Sequence, residues 1–305
     1  MTSRTLWYAA LILATGTPAL AATPINQVRP LSAQGSVSVD NVKGRIVVRT
    51  WDRAEVRITG SLGQGVEKLV VEGTADNLRI EVRYPSGGGS WFGWGGDRGC
   101  AESSVIEVTV PARAGVKVDS VSASVDVAGV AGRTLTVDTV SGNVVIRGAR
   151  PAQASLDTVS GDLDLELQTA LVAVASVSGD VRIRGKLTGS VEIESVSGDT
   201  DLLAGRLQRL SVSSVSGDSR LKASLAPGGR ITTESVSGGV TLALAGDTSA
   251  RLRVETFSGG ITSPVGQVKT EEYGPGKRLD ARLGTGSGDI RLESFSGDVR
   301  IEVSK

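Results

Sequence analysis

The chain encodes an all-β fold: a parallel β-solenoid with two short strands per coil of about 19 residues and an irregular β cap at its N-terminal end. Three observations predict it. A four-residue unit, Val-Ser-Gly-Asp, recurs at nearly constant spacing. Between units, apolar and polar residues alternate, which is the period of a strand with one buried face. No segment shows sustained helical spacing.

Residues 1–22 read as an export signal. Arg4 gives a basic start, Leu6 to Ala14 form an apolar run too short to span a bilayer comfortably, and Ala19-Leu20-Ala21 supplies the small residues of a cleavage site. Cleavage after Ala21 or Ala22 is expected. Residues 23–34 read as a polar tail. Residues 23–110 form an N-terminal β section, with strands expected over 36–51 and 54–60, two more within 66–83, and others over 105–110 and 116–119. The irregular cap is expected here, because an uncapped solenoid end exposes unpaired strand edges.

Residues 111–305 hold the repeats. The unit begins at Val140, Val159, Val177, Val196, Val215 and Val236, becomes Phe-Ser-Gly at Phe257 and Phe295, and has a worn first copy at Val121. From Val121 to Phe257 the spacings are 19, 19, 18, 19, 19, 21 and 21 residues. A polar insert over 267–278 interrupts the register before it resumes near Ser287.

Within the coil from Val177, Val181 and Ile183 alternate with arginines, and Val191 and Ile193 alternate with glutamates. Aligning coils gives two inward columns. The first is Val144, Leu163, Val181, Thr200, Ser219 and Val240; the second is Leu135, Ala154, Val172, Val191, Leu210, Ile231 and Leu252. Outward columns alternate in charge: Asp164, Arg182, Asp201, Arg220, and also Arg147, Glu166, Arg184. Opposite charges stacked about 4.8 Å apart favour this register. Glycine suits the tight turns, and its aspartate and serine neighbours suit side-chain bonds to their own turn. A Ser or Thr precedes each unit and points inward, placed to satisfy turn amides. The last strand, 299–304, is expected to leave an open edge.

Composition excludes several functions. The 33 basic and 33 acidic residues form no basic block, so nucleic acid is not an expected partner. The chain has no histidine, which removes the usual general base and His-ligated metal sites. Its single cysteine, Cys100, cannot form an internal disulfide. No cofactor is expected.

The loop over 85–100 is the candidate binding element. It holds seven glycines and Trp91, Phe92 and Trp94, three of only ten aromatic residues. Two readings stay open: a contact surface for a glycan, a lipid membrane or a protein partner, or a lid over the solenoid's apolar end. The turn aspartates Asp162, Asp180, Asp199 and Asp218 form a column that reads mainly as turn capping. A cation ladder is the weaker alternative, since each coil offers one acid rather than a ligand set.

The repeat unit, the leading Asn41–Trp51 strand (N-V-x-G-x-I-x-V-R-x-W) and the Val-x-Val-Pro segment at Val108 resemble the bacterial adhesin-type β-strand repeat family called Toastrack, a domain of unknown function. The resemblance spans roughly residues 36 to 305. It implies an exported or membrane-anchored β-solenoid, brings no catalytic residues, and links some relatives to envelope-stress systems. The expected function is a non-catalytic cell-envelope protein, periplasmic or on the cell surface, that acts as an adhesin or assembly surface. Two alternatives are an envelope-stress component binding a membrane regulator and a polysaccharide-active β-helix enzyme.

Overall fold

The computed structural model describes residues 22–85, 101–272 and 274–304. The expected signal segment and Trp91, Phe92, Trp94 and Cys100 lie outside the described residues. Among those described, every element is a strand, and 21 strands join one continuous sheet. In chain order the N-terminal strands are β1 (Thr23–Pro30), β2 (Ser36–Trp51), β3 (Glu55–Leu62), β4 (Lys68–Gly73), β5 (Asn77–Arg83), β6 (Ser104–Pro111) and β7 (Gly115–Ala128). Then come β8 (Thr134–Thr139), β9 (Val144–Ala149), β10 (Gln153–Ser160), β11 (Leu163–Ser178), β12 (Val181–Ser197), β13 (Thr200–Ser216), β14 (Ser219–Ser237) and β15 (Val240–Leu244). The last are β16 (Ala250–Thr256), β17 (Ile261–Thr262), β18 (Gln267–Thr270), β19 (Lys277–Leu283), β20 (Gly288–Ser294) and β21 (Val299–Val303).

The sheet winds into a two-faced parallel solenoid. The front face carries the strand halves that precede each Val-Ser-Gly-Asp unit, and the back face those that follow it. On the back face Val144, Leu163, Val181, Thr200, Ser219 and Val240 pair in register from coil to coil. On the front face Leu135, Ala154, Val172, Val191, Leu210 and Ile231 do the same. All are buried. One coil buries Val181, Ile183, Leu187, Val191 and Ile193 almost completely, each worth about 1.5–3 kcal/mol of apolar burial.

The ends are built differently from a simple stack. β20 pairs with β14 on one side and β16 on the other, and β21 likewise lies between β15 and β17. The last coil in sequence therefore slots inside the stack. Ile290, not Leu252, lies against Ile231; of the expected open edge at 299–304, Val299 and Arg300 are paired on both sides, whereas 301–303 pair only with β15. The insert over 267–278 is not a plain loop: β18 and β19 fold back antiparallel on β16 and close this end of the front face.

The N-terminal end mirrors this device. β2 pairs with β7 on one side and with β5 and β6 on the other, so the parallel stack continues back to Ser36. Antiparallel β4 closes the front face, and β3 with β1 closes the back. The expected polar tail is thus largely strand. β1 is an edge strand whose one deep anchor is Ile25, followed by buried Leu31, and its terminal prolines are tolerated at an edge.

The turn chemistry runs between coils rather than within one turn. The Oδ1 atoms of Asn143, Asp162, Asp180, Asp199 and Asp218 accept the backbone N–H of the equivalent residue in the next coil, at 2.9–3.1 Å. The unit's glycine is required by close approach as well as by dihedral angle. Gly198 has φ +120°, and a Cβ there would strike the Gly179 carbonyl oxygen of the neighbouring coil. The inward hydroxyls follow the expectation only in places. Ser120, Thr139 and Ser294 accept a turn N–H, whereas Thr158, Ser176, Ser195 and Ser214 are buried with no protein partner. At Thr158 and Ser176 the turn amides, from Gly161 and Gly179, are given to carbonyls of the next coil instead.

Substitutions at one turn separate these two roles. Asp199→Ala should cost about 1 kcal/mol by removing the acceptor, whereas Asp199→Asn keeps it and stays within about 0.5 kcal/mol. Gly198→Ala should cost about 1–3 kcal/mol through strain. Urea unfolding measures all three, and an Asp199→Asn variant as unstable as Asp199→Ala contradicts the ladder.

Candidate functional site: a lengthwise trough

Front-face parity dictates the site. Each inward Ser or Thr before the unit is followed by the unit's Val or Phe, which must therefore point outward. In stack order these residues are Val42, Val121, Val140, Val159, Val177, Val196, Val215, Val236, Phe295 and Phe257. All are 43–57% exposed. Nine steps of about 4.8 Å make this ridge about 43 Å long. At its C-terminal end the Phe257 and Phe295 rings stack at 4.9 Å with an 8° interplanar angle.

Two residues before the ridge lies a second outward column. Its order is Glu81, Asp40, Asp119, Asp138, Asp157, Ala175, Glu194, Ser213, Glu234, Glu293, Glu255. Ridge and column border a trough of about 1570 Å³ whose lining reaches from Val82 on β5 to Lys277 and Arg278 on β19. Here charge does not alternate: like charges stack in adjacent coils, an arrangement that is destabilising on its own.

Cations neutralise the two ends of the acid column. Arg79 pairs with Asp40 at 2.8 Å, and Lys117 reaches Asp119 at 2.8 Å and Asp138 at 3.3 Å. Arg278 lies 3.8 Å from Glu255, and Arg291 binds Glu293. Burial pushes the Asp40 carboxyl up, helped by its hydrogen bond with Asp119 and opposed by Arg79. Burial also raises Asp138, against the pull of Lys117. For Asp119 burial is outweighed by hydrogen bonds from Lys117 and Asp40, so it falls below the usual range.

The back-face outward column does alternate as read from the sequence. Arg182 and Arg220 approach Asp201 at 4.0 and 3.9 Å, and Arg184 binds Asp164 at 2.9 Å. These half-exposed pairs contribute about 0–1 kcal/mol each.

The turn-aspartate carboxylates are engaged by protein donors. Besides the Oδ1 ladder, the Oδ2 atoms of Asp180, Asp199 and Asp218 bind Arg182 or Arg220 at 2.7–3.3 Å. Donation from the Asp218 backbone N–H, followed by Arg220, holds Asp199 below the usual carboxylate range. Among the described residues no cluster of three acids, histidines or cysteines is arranged to hold a metal.

The trough was readable in the sequence. The motif is [Asp/Glu]-[Ser/Thr]-[Val/Phe]-Ser-Gly, present at Asp138, Asp157, Glu194, Glu234, Glu255 and Glu293. Framing the unit as Val-Ser-Gly-Asp leaves out the acid in front of it and says nothing of the outward parity of its valine.

Together these features define a β-solenoid repeat protein that carries one continuous surface groove along its axis. The chain belongs to the Toastrack DUF4097 family, whose pattern matches residues 35–302. No curated protein matches it. Among solved structures, a candidate adhesin from Parabacteroides distasonis ATCC 8503 aligns with a TM-score of 0.51 at 10% identity, covering 93% of this chain and 98% of that one. A candidate adhesin from Bacteroides fragilis NCTC 9343 aligns at 0.45 and 14% identity, covering 93% and 98%. A candidate lipid-binding protein from P. distasonis ATCC 8503 aligns at 0.47 and 12%, covering 93% and 97%. The first of these shares the fold; none speaks to a ligand.

The acid column gives a pH signature. A carboxyl raised by folding detracts from stability as pH rises from about 4 through its folded value. Asp138→Asn removes that titration, so its melting temperature should gain on the wild type as pH rises from about 4 to about 7. Thermal unfolding across this range checks the sign, and a shrinking difference contradicts it.

Proposed function

We propose that this protein is a non-catalytic, exported adhesin-type or assembly surface of the cell envelope, and that the trough is its contact line. One observation carries the reading. The ridge is a continuous exposed apolar line about 43 Å long, whereas unoccupied surfaces of soluble proteins show apolar residues singly or in small patches. Its lining is uniform from coil to coil, which suits a long contact better than a localised reaction.

Catalysis is disfavoured by the absence of histidine and by acids stacked evenly along a face rather than paired around a cleft. Export rests on the signal-like residues 1–22, and β1 begins at Thr23, so cleavage after Ala21 or Ala22 leaves the fold whole. Trp91, Phe92 and Trp94, in the segment that follows β5 in sequence, are proposed as further contact residues on their aromatic character alone.

Co-sedimentation with isolated cell-envelope fragments tests the proposal. Val177→Ser/Val196→Ser/Val215→Ser should lower binding about tenfold or more while the melting temperature stays near wild type, because buried apolar contact, not the fold, is lost. Deletion of 86–100 should weaken binding less. Loss of binding only in the deletion variant would move the contact to the aromatic segment, and unchanged binding in the valine variant contradicts the trough.

A further inference from the structure

We infer that the trough's occupant is an extended, cationic polypeptide segment lying along the solenoid axis. The inference rests on the contact-surface reading and names its partner. Three features converge on it: width, charge and spacing.

Width comes first. Ridge and acid column lie two residues apart on each strand, about 6.6 Å. An α-helix with its side chains needs about 10–12 Å and does not fit. One extended chain does. It crosses the strands rather than continuing the sheet, because the trough lies on a face and not on a sheet edge.

Charge comes second. Among the described residues, Asp157, Glu194 and Glu234 make no ion pair, in contrast to the neutralised ends of the column. Through these central coils the outward positions beside the acids are Ser155, Ala173, Glu192, Ser211 and Thr232, so within them no lysine or arginine balances the acids, and only Glu234 feels a cation from the next coil, Arg291. Across the ridge the turn aspartates Asp180, Asp199 and Asp218 are already paired with Arg182 and Arg220, so the net charge beside the ridge comes from the acid column. Anionic lipid headgroups and nucleic acid are disfavoured along that column, and a second copy would oppose like to like.

Spacing comes third. The three unpaired acids alternate with Ala175 and Ser213, so they recur every second coil, about 9.6 Å apart. A polyproline-II chain advances about 3.1 Å per residue and returns to the same side every third residue, about 9.3 Å. A lysine at every third position of such a chain meets the acids, and its apolar neighbours lie on Val177, Val196 and Val215. A β-strand repeats at about 6.8 Å and drifts out of register.

A labelled peptide of five Lys-Val-Pro repeats is the probe, with fluorescence anisotropy on the full chain as readout. Binding should weaken about tenfold or more as salt rises from about 0.05 to 0.3 M. Asp157→Asn/Glu194→Gln/Glu234→Gln should weaken it about tenfold and flatten the salt dependence, with melting temperature unchanged or raised. Val177→Ser/Val196→Ser/Val215→Ser should weaken it while leaving the salt dependence in place. The same peptide with glutamate for lysine, and phosphatidylglycerol vesicles, should not bind. Equal binding of the glutamate peptide, vesicle binding through the trough, or unchanged affinity in the folded acid variant overturns the inference. If the valine variant loses envelope binding while the lysine peptide is not bound, the contact-surface reading stands and the cationic partner falls.

Discussion

Everything in this molecule depends on in-register parallel pairing between successive coils. The pairing repeats each position about every 4.8 Å, so whatever one residue does is done by the whole column. Apolar positions become a continuous core. The turn glycine becomes a column in which each residue abuts the carbonyl of the one before, so a side chain at any step collides with the next. A single turn aspartate becomes a hydrogen-bonded ladder. One outward valine per coil becomes a ridge along the whole molecule.

The same multiplication makes the acid column a departure from what stability alone favours. The back face follows the stabilising rule, with opposite charges stacked between coils, whereas the front face stacks acid on acid. The protein offsets this at both ends, where Arg79, Lys117, Arg278 and Arg291 supply countercharge. Among the described residues it leaves the central acids Asp157, Glu194 and Glu234 without an ion pair of their own. Local rules are most often broken where a surface serves something other than folding, and this is the stretch where ridge and unpaired acids coincide.

Much of the fold was legible because period two and a repeat near 19 residues are both written directly into the chain. Val181 and Val191 could be assigned to opposite inward columns from alternation alone. The order of coils at the ends was not legible. Periodicity says which residues face inward but not which coil lies beside which, and Leu252 and Ile290 are equally good neighbours for Ile231. The edge strand β1 was missed because one face of it is solvated and only Ile25 anchors it. The trough was missed for a different reason. The valine was grouped with its Ser-Gly-Asp neighbours as one repeat unit, although parity after the inward Ser or Thr already required it to face out.

The inserted last coil decides whether ridge and acid column are continuous to their C-terminal end, so it is the place to test the stack. Paired cysteines in a Cys100→Ser chain report it directly. Thr232 and Arg291 are in register in adjacent coils, with Cα atoms about 4.8 Å apart, inside the range a disulfide bridges. Thr232 and Arg253 are separated by the inserted coil, at about 9.6 Å. Mild oxidation should cross-link Thr232→Cys with Arg291→Cys and leave Thr232→Cys with Arg253→Cys reduced. The reverse result, coupling 232 to 253 and not to 291, would mean that the coils stack in sequence order and would contradict the architecture on which the trough depends.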